Sequence, residues 1–169
     1  LSIIAGLSSP SAGEVIMPEK ISVGYMLQRD HLLSWRTIYK NAVVGLEVQK
    51  KLTAENIDYV NYLLETYGLG KFRNSYPGQL SGGMRQRAAL IRTLAIKPDI
   101  LLLDEPFSAL DYQTRLTVSD DVAEIIAKEH KTAVLVTHDL SEAISMASRV
   151  VVMSARPSTI KNIYDISFP

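Results

Sequence analysis

The sequence predicts an α/β fold with a parallel sheet at its centre. Short apolar runs typical of buried strands, such as residues 100–103 and 133–136, are separated by segments whose apolar residues recur at helical spacing. This alternation is typical of a parallel sheet covered by helices on both faces. With 169 residues, of which 47% are apolar, the chain is long enough for one domain with a sizeable core.

The first part of the chain predicts a helix end, two strands and a long helical region. Residues 1–7 are mostly apolar and are followed by a loop rich in Ser and Pro, as at the end of a helix. Residues 13–16 and 21–27 predict strands, and the second strand delivers Gln28 to its end. From about residue 37 to residue 67, apolar residues recur at steps of three and four.

The second part predicts helices and strands in alternation. Residues 82–96 predict a helix that stops at Lys97, because the residue before a proline disfavours helical backbone. We expect the three later strands to join the parallel sheet. The remaining predicted elements are a strand at 100–103, a helix with Val118, Val122, Ile125 and Ile126 on one face, a strand at 133–136, a helix at 141–146 and a strand at 150–153.

The composition excludes several classes of protein. A formal net charge of zero argues against a protein held on nucleic acid by a basic face. No cysteine is present, so the chain has neither disulfides nor cysteine-ligated zinc. No apolar stretch reaches the roughly 18 residues that a transmembrane helix needs. Any role at a membrane is therefore expected to be peripheral, through a partner.

Four short motifs follow one another in a fixed order. They are Leu-Ser-Gly-Gly-Met at 80–84, Leu-Leu-Leu-Asp-Glu-Pro at 101–106, Ser-Ala-Leu-Asp at 108–111 and Val-Thr-His-Asp at 136–139. Each motif alone is weak, because such short strings arise by chance. In this order they predict a nucleotide hydrolase, and over nearly its whole length the chain resembles the ATP-binding subunit of an ABC transporter.

Two carboxylates follow the predicted strand at 100–103. Open α/β sheets place ligands at the carboxyl ends of their strands, where Asp104 and Glu105 stand. We expect Asp104 to hold Mg²⁺ against phosphate oxygens and Glu105 to activate a water that attacks the γ-phosphate. Taken alone, the pair would be read first as two solvated acids before a turn at Pro106, and the other motifs reverse that preference.

The Ser-Gly-Gly sequence opens the predicted helix at 82–96. Ser81 can cap that helix, and Gly82 and Gly83 have no Cβ to keep a phosphate away from the backbone N–H groups. The alternative is an ordinary helix start, with Leu80 and Met84 as core contacts in either case. The resemblance implies that this motif binds the ATP held by the opposite subunit. It also implies nucleotide-binding roles for Gln86 and Asp111, and a dimer-contact loop at residues 108–111.

His138 and Gln28 are further candidates at the sheet edge. His138 follows a predicted strand and can hydrogen-bond the γ-phosphate. It could instead cap the next helix, although Asp139 and Glu142 already form a capping-box-like start. Gln28 alone would carry no functional meaning. The resemblance implies that it contacts Mg²⁺ or the attacking water.

The resemblance implies a P-loop NTPase-like core at residues 1–28 and 97–169 and a helical subdomain at residues 29–96. The subdomain includes a helical insert at roughly residues 29–77 and the Leu-Ser-Gly-Gly-Met sequence at 80–84, called here the signature motif. ATP and Mg²⁺ are the implied cofactors. A second ATP-binding subunit and a transmembrane permease subunit are the implied partners, with a solute-binding protein acting indirectly and no nucleic acid. Such a subunit lies peripherally on the cytoplasmic face of the cell membrane.

Flanking residues narrow the resemblance to importers of the nitrate, sulfonate and taurine type. They lie at residues 28–37, 76–80 and 154–157. The segment from Gln28 to about Val44 is expected to dock the permease through an exposed Trp35, although Trp35 could instead pack inside the helical region.

One departure from the family is large: the phosphate loop G-x-x-x-x-G-K-[ST] occurs nowhere in the chain. We therefore expect a fold incomplete at both ends, since the chain also ends at Phe168-Pro169, soon after its last predicted strand. The fragment alone is expected to be inactive, with an unpaired sheet edge beside the Asp104 strand. The alternatives are a soluble ABC-type ATPase and a non-hydrolysing regulatory or interaction module.

Overall fold

A three-stranded parallel sheet lies at the centre of the computed structural model, which describes residues 1–167. The strands are β1 (Val23–Met26), β2 (Ile100–Asp104) and β3 (Thr132–Val136), in the order β1-β2-β3. Tyr25 lies opposite Leu102, and Asp104 lies opposite Val136. Because the strands are parallel, their carboxyl ends meet at one edge of the sheet. Phe168 and Pro169, where the chain ends, lie outside the described residues.

Six α-helices and a hairpin complete the fold. The hairpin consists of β4 (Arg149–Met153) and β5 (Ile160–Asp165), which pair antiparallel. Short 3₁₀ helices at Gly70–Phe72 and Pro77–Gln79 precede the helix at Gly82–Leu94. The helices are α1 (Ile38–Ala42), α2 (Val44–Val48), α3 (Ala54–Thr66), α4 (Gly82–Leu94), α5 (Tyr112–Lys128) and α6 (Leu140–Met146).

The core is centred on α4 and β2. The α4 residues Leu90, Ile91 and Leu94 are fully buried, and so are all three leucines of β2. α4 packs against α1, α5 and β1. The longest helix, α5, has 17 residues, and none of the helices within residues 1–167 is long and apolar enough to cross a bilayer.

Two expectations for the first 16 residues were wrong. Residues 1–7 form hydrogen-bonded turns, in which only the Ala5 N–H, donating to the Leu1 carbonyl, has the spacing of an α-helix. A helix needs consecutive bonds of this kind. Residues 13–16 are not a strand because no other described strand pairs with them, and Ile16 is 86% exposed.

The helical region was correctly located, but it is three helices and not one. α2 ends at Val48, Lys50 adopts a left-handed backbone with φ of 56°, and Thr53 starts α3 by accepting a hydrogen bond from the Asn56 N–H. The apolar spacing continues across this break, so the spacing alone does not reveal it.

Three expectations for the sheet were also wrong. β4 pairs with β5 and not with the parallel sheet. β2 has a neighbour on each side, so the Asp104 strand has no unpaired edge. Among the described strands of this sheet, β1 and β3 are the edge strands, and each has one edge without a pairing strand. Most of β3 is exposed, so the sheet is not covered on both faces there.

Candidate functional site

The centre of the candidate site is Glu105, the residue that follows β2. Its backbone adopts a left-handed conformation with φ of 43°, which is uncommon for a residue with a side chain. Such a conformation costs on the order of 1–3 kcal/mol and persists only where neighbouring contacts hold it. Here the Glu105 N–H donates to the Val136 carbonyl at 2.8 Å, which ties the turn to the end of β3.

Two other predicted residues contact the Glu105 carboxylate. His138 Nδ1 lies 3.4 Å from Oε1, and Gln28 Nε2 donates to Oε2 at 3.3 Å. The Gln28 amide also lies 3.3 Å from Ser108 Oγ. The His138 side chain is 69% exposed and that of Glu105 is 31% exposed, so the group opens to solvent. The structure thus brings Gln28, Glu105 and His138 together at the sheet edge from three separate segments.

Asp104 is half-buried beside this group. The Tyr25 hydroxyl, from β1, donates to Asp104 Oδ2 at 2.9 Å. Burial, and next this hydrogen bond to a carboxylate, raise the pKa of Tyr25, so the phenol stays protonated and continues to donate. The contact fixes one carboxylate oxygen and leaves the other available. Tyr25 could not be singled out from the sequence, because its nearness to Asp104 depends on the pairing of β1 with β2.

The residues at this edge fit a magnesium ion in one respect. Mg²⁺ is commonly held by one or two carboxylates together with phosphate oxygens and water, and Asp104 offers a carboxylate oxygen. Within residues 1–167 there is no cluster of three or more His, Asp or Glu side chains arranged to hold a metal. The donor set therefore suits a metal whose other ligands come from a phosphate and from water, and it does not suit a metal enclosed by protein.

The signature motif begins α4. Ser81 has extended backbone angles, and its hydroxyl oxygen accepts a hydrogen bond from the Met84 N–H at 3.3 Å, as an N-cap does. Ser81 is exposed, so the positive end of this 13-residue helix faces solvent. Leu80 is buried and Met84 packs against the core, which confirms both as core contacts.

The two glycines of the motif have a packing role that the sequence did not reveal. A Cβ on Gly83 would lie 2.6 Å from Val118 Cγ2, and a Cβ on Gly82 would lie 2.8 Å from Leu110 Cδ2. Both distances are far below van der Waals contact. The absence of a Cβ therefore lets α4 lie directly against α5 and the preceding loop, in addition to any effect on the approach of an anion.

Gln86 and Asp111 lie away from the Glu105 group. Gln86 is 3% exposed on the second turn of α4 and lines a small pocket with Arg29, Gly82 and Leu110. Its Oε1 is buried without a hydrogen-bond partner among the described residues. Asp111 caps α5 by accepting from the Thr114 N–H at 3.1 Å, and hydrogen bonds from Thr114 lower its pKa. Within residues 1–167, neither side chain hydrogen-bonds to Glu105 or His138.

The start of α6 differs from the expected capping box. Asp139 caps the helix, accepting from the N–H groups of Ser141 and Glu142. Glu142 does not reach back to the Asp139 N–H, as a capping box requires. Instead the Thr137 hydroxyl donates to Glu142 Oε2, while Thr137 Oγ1 accepts from the Asp139 N–H at 3.0 Å. Thr137 therefore relays the contact between Glu142 and the Asp139 N–H.

Comparisons with known proteins agree with the motifs. A family model described as "ABC transporter" matches residues 1–108, which include Gln28, the signature motif and both carboxylates. The chain belongs to the ABC transporter family. It is 48% identical to the uncharacterized ABC transporter ATP-binding protein YtlC of Bacillus subtilis, a match that covers 98% of this chain and 66% of that protein. It is 37% identical to the nitrate import ATP-binding protein NrtD of a Synechocystis strain, covering 100% of this chain and 66% of that protein.

A solved structure supports the same assignment. The ATP-binding cassette MJ0796, described as a dimeric post-hydrolysis state bound to ADP and Pi, matches with a TM-score of 0.75 and 26% identity. The match covers 99% of this chain and 79% of that one. The fold of this ABC family member is therefore the α/β fold of an ABC ATPase domain, as predicted. The chain spans slightly less than two thirds of the length of YtlC and NrtD.

Proposed function

We propose that this chain forms the water-activating part of an ATP-hydrolysing subunit that powers solute import through a membrane ABC transporter. The observation that carries the proposal is the Glu105 carboxylate at the end of a buried strand, contacted by both His138 and Gln28. A carboxylate with these neighbours, open to solvent, can accept a proton from a water molecule. The phosphate-binding loop that such an enzyme needs is not in this sequence. The activity is therefore proposed for a protein in which this chain is joined to such a loop.

The proposed roles follow from the donors and acceptors present. Glu105 accepts the proton of the water that attacks the γ-phosphate. His138 donates a hydrogen bond to an oxygen of that phosphate, and Gln28 orients the water or a metal ligand. Mg²⁺, held through Asp104 and Gln28, would neutralise charge on the phosphates. The contact of Tyr25 with Asp104 supports this by holding one carboxylate oxygen and leaving the other for the metal.

The active site is proposed to form between two subunits. Ser81, Gly82 and Gly83 of one subunit would bind the ATP held by the other. Gln86 and Asp111 would belong to the same nucleotide-binding surface. The solvent-facing helix end at Ser81 supports this role, because the N–H groups of a first helical turn and the helix dipole attract phosphate. The similar MJ0796 structure is itself a dimer bound to ADP and Pi.

Turnover of the full-length protein with Mg²⁺ and ATP tests the proposal. Replacing a general base usually costs a factor of about 10²–10⁴ in rate, so Glu105→Gln should lose most of the hydrolysis and keep ATP binding. The same experiment tests the shared site by mixing Ser81→Ala subunits with Glu105→Gln subunits. One composite site of each mixed dimer then carries both changes and the other carries neither, so mixing should restore activity above either parent.

The outcomes separate the two parts of the proposal. An unchanged turnover in Glu105→Gln would remove Glu105 from its role. No recovery on mixing, with mixed dimers shown to form, would contradict the shared site while leaving the role of Glu105 intact.

A permease partner and a solute class complete the proposal. We propose peripheral attachment to the cytoplasmic face of the membrane through a transmembrane permease, with a solute-binding protein acting indirectly. Trp35 supports a docking surface, since its side chain is 74% exposed and does not pack inside the helical region, which was the alternative. As the solute we propose nitrate, a sulfonate or a taurine-like small anion. The flanking residues at 28–37, 76–80 and 154–157 and the similarity to a protein named for nitrate import favour this class.

A further inference from the structure

Arg115 lies on the first turns of α5 and joins two loops of the candidate site. Its Nη2 donates to the Leu110 carbonyl at 3.2 Å, in the loop of residues 108–111, here called the Ser108 loop. Its Nη1 donates to Asp139 Oδ2 at 3.4 Å, in the loop of residues 137–139, here called the His138 loop. The Arg115 side chain is only 21% exposed, so solvent screens these contacts weakly.

A buried carboxylate completes the group. Glu142, on α6, is 5% exposed, and a buried carboxylate is stable only when it is paired. Its Oε2 accepts from the Thr137 hydroxyl, and its Oε1 lies 3.9 Å from Arg115 Nε. Thr137 and Asp139 are the residues on either side of His138. Both neighbours of His138 are therefore held by the pair formed by Arg115 and Glu142.

We propose that Arg115 is a positioning residue that couples the Ser108 loop to the His138 loop. The assignment rests on the proposed function, because Arg115 can affect hydrolysis only through the proposed roles of His138 and of the dimer-contact loop. A guanidinium is planar and offers its donors in a fixed fork, so contacts to Leu110 and Asp139 fix the relative placement of the two loops. A displacement of one loop is then transmitted to the other.

A hydrogen bond between Arg115 and Glu142 that is not formed in this structure would give the two side chains a second arrangement. Arg115 Nε is buried and has no hydrogen-bond acceptor among the described residues. Glu142 Oε1, at 3.9 Å, is about 1 Å beyond hydrogen-bond distance. A shift of that size toward Glu142 completes the bond and moves the guanidinium relative to Leu110 and Asp139. Closure of a dimer on the Ser108 loop is an event that can drive such a shift.

Hydrogen exchange in the full-length protein tests the coupling without relying on activity. Glu142→Gln keeps the shape of the side chain and removes its charge. In the described part of the chain Glu142 makes no hydrogen bond to the Ser108 loop, yet exchange should rise severalfold in residues 107–112 as well as in residues 136–142. Arg115→Gln should raise exchange in both segments, and Arg115→Lys, which keeps the charge without the fork, should have a smaller effect. The matched control is Arg149→Gln, which breaks the exposed pair of Arg149 with Asp165 on the hairpin and should change neither segment.

Kinetics supply the second readout. A small misplacement of a catalytic group can cost up to about 100-fold in rate, so Arg115→Gln should lower kcat by about 10- to 100-fold with little change in the KM for ATP, and Arg115→Lys should recover part of it. Exchange that rises only in residues 136–142 of Glu142→Gln, or an unchanged kcat in Arg115→Gln, would overturn the proposal. A wild-type protein without ATP hydrolysis would contradict the proposed function instead, and the exchange experiment would still decide the coupling.

Discussion

At the scale of single residues, Gly83 links the signature motif to the packing of α4 on α5. The residue is buried, and the space beside its Cα is filled by the side chain of Val118. Gly83→Ala would place a methyl group 2.6 Å from Val118 Cγ2, so the helices must separate or Val118 must change rotamer. Overpacking of this kind typically costs about 1–3 kcal/mol of the free energy of unfolding. Denaturant unfolding of Gly83→Ala measures the cost.

The control for Gly83 is the double variant with Val118→Ala, which makes room for the added methyl group. Residues in contact give non-additive effects, so the double variant should lose less stability than the sum of the two single variants. Additive losses would show that the two residues do not meet. The variants would also separate two causes of a loss of ATP binding in Gly83→Ala. Recovery of binding in the double variant would indicate packing, and no recovery would indicate the phosphate contact.

Some site residues could be predicted from the sequence because their positions just after predicted strands place them at the edge of the sheet. Asp104, Glu105 and His138 lie within two residues of the ends of predicted apolar strands, and the carboxyl ends of parallel strands lie at one edge, so their nearness needs no knowledge of rotamers. Tyr25 and Arg115 could not be found in this way. Their contacts join residues 79 and 24 positions apart and depend on strand register and helix rotation.

At the scale of elements, the end of α5 is held to α3 by two tyrosines. The Tyr59 and Tyr67 hydroxyls donate to the two oxygens of Glu129 at 2.7 and 2.9 Å. Burial first, and then the hydrogen bond to Glu129, raise the pKa of both tyrosines well above their ordinary value of 10.0. The folded protein therefore disfavours the ionised phenols, which the unfolded chain forms freely.

The sign of the pH effect follows from these raised pKa values. The contribution of the two tyrosines to stability is fully present below pH 10, and it is lost progressively as the pH rises above 10. Urea unfolding at a series of alkaline pH values should show this loss. The double variant Tyr59→Phe and Tyr67→Phe should start less stable and show a flatter decline. Tyr164→Phe, an exposed tyrosine on β5, is the control and should keep the wild-type slope. Equal slopes in all three proteins would contradict the assignment.

Elements were predictable where their ends are marked locally. α4 starts at a serine cap and stops close to a proline, and α5 starts at an aspartate cap, so sequence signals and structure agree there. The partner of β4 was not predictable, because an apolar run indicates a strand without saying what pairs with it. The division into a core at residues 1–28 and 97–169 and a helical subdomain at residues 29–96 stays a prediction.

At the scale of the whole molecule, the segment around Trp35 is built to present an aromatic side chain. Asn41, fully buried on α1, accepts from the Leu33 N–H at 2.7 Å and donates to the carbonyls of Leu33, Arg36 and Thr37. One buried amide therefore fixes the backbone on both sides of Trp35, while the indole itself stays in solvent. A rigid loop that exposes a large aromatic residue is typical of a binding anchor, since little entropy is lost when a partner covers it.

Trp35→Ala should therefore uncouple transport from hydrolysis in the assembled transporter. Removing an exposed side chain should change the unfolding free energy by no more than about 0.5 kcal/mol, and the ATPase rate of the isolated subunit should be nearly unchanged. Association with the permease should weaken, because truncation of an aromatic anchor commonly costs about 2 kcal/mol or more of binding free energy. Val48→Ala is the matched control, because Val48 is similarly exposed at 78% but lies at the end of α2, outside the loop that Asn41 holds. Co-purification with the permease and transport into vesicles measure the two effects. Normal association and transport in Trp35→Ala would show that the permease docks elsewhere, because a docking surface centred on Trp35 cannot lose that side chain without weaker association.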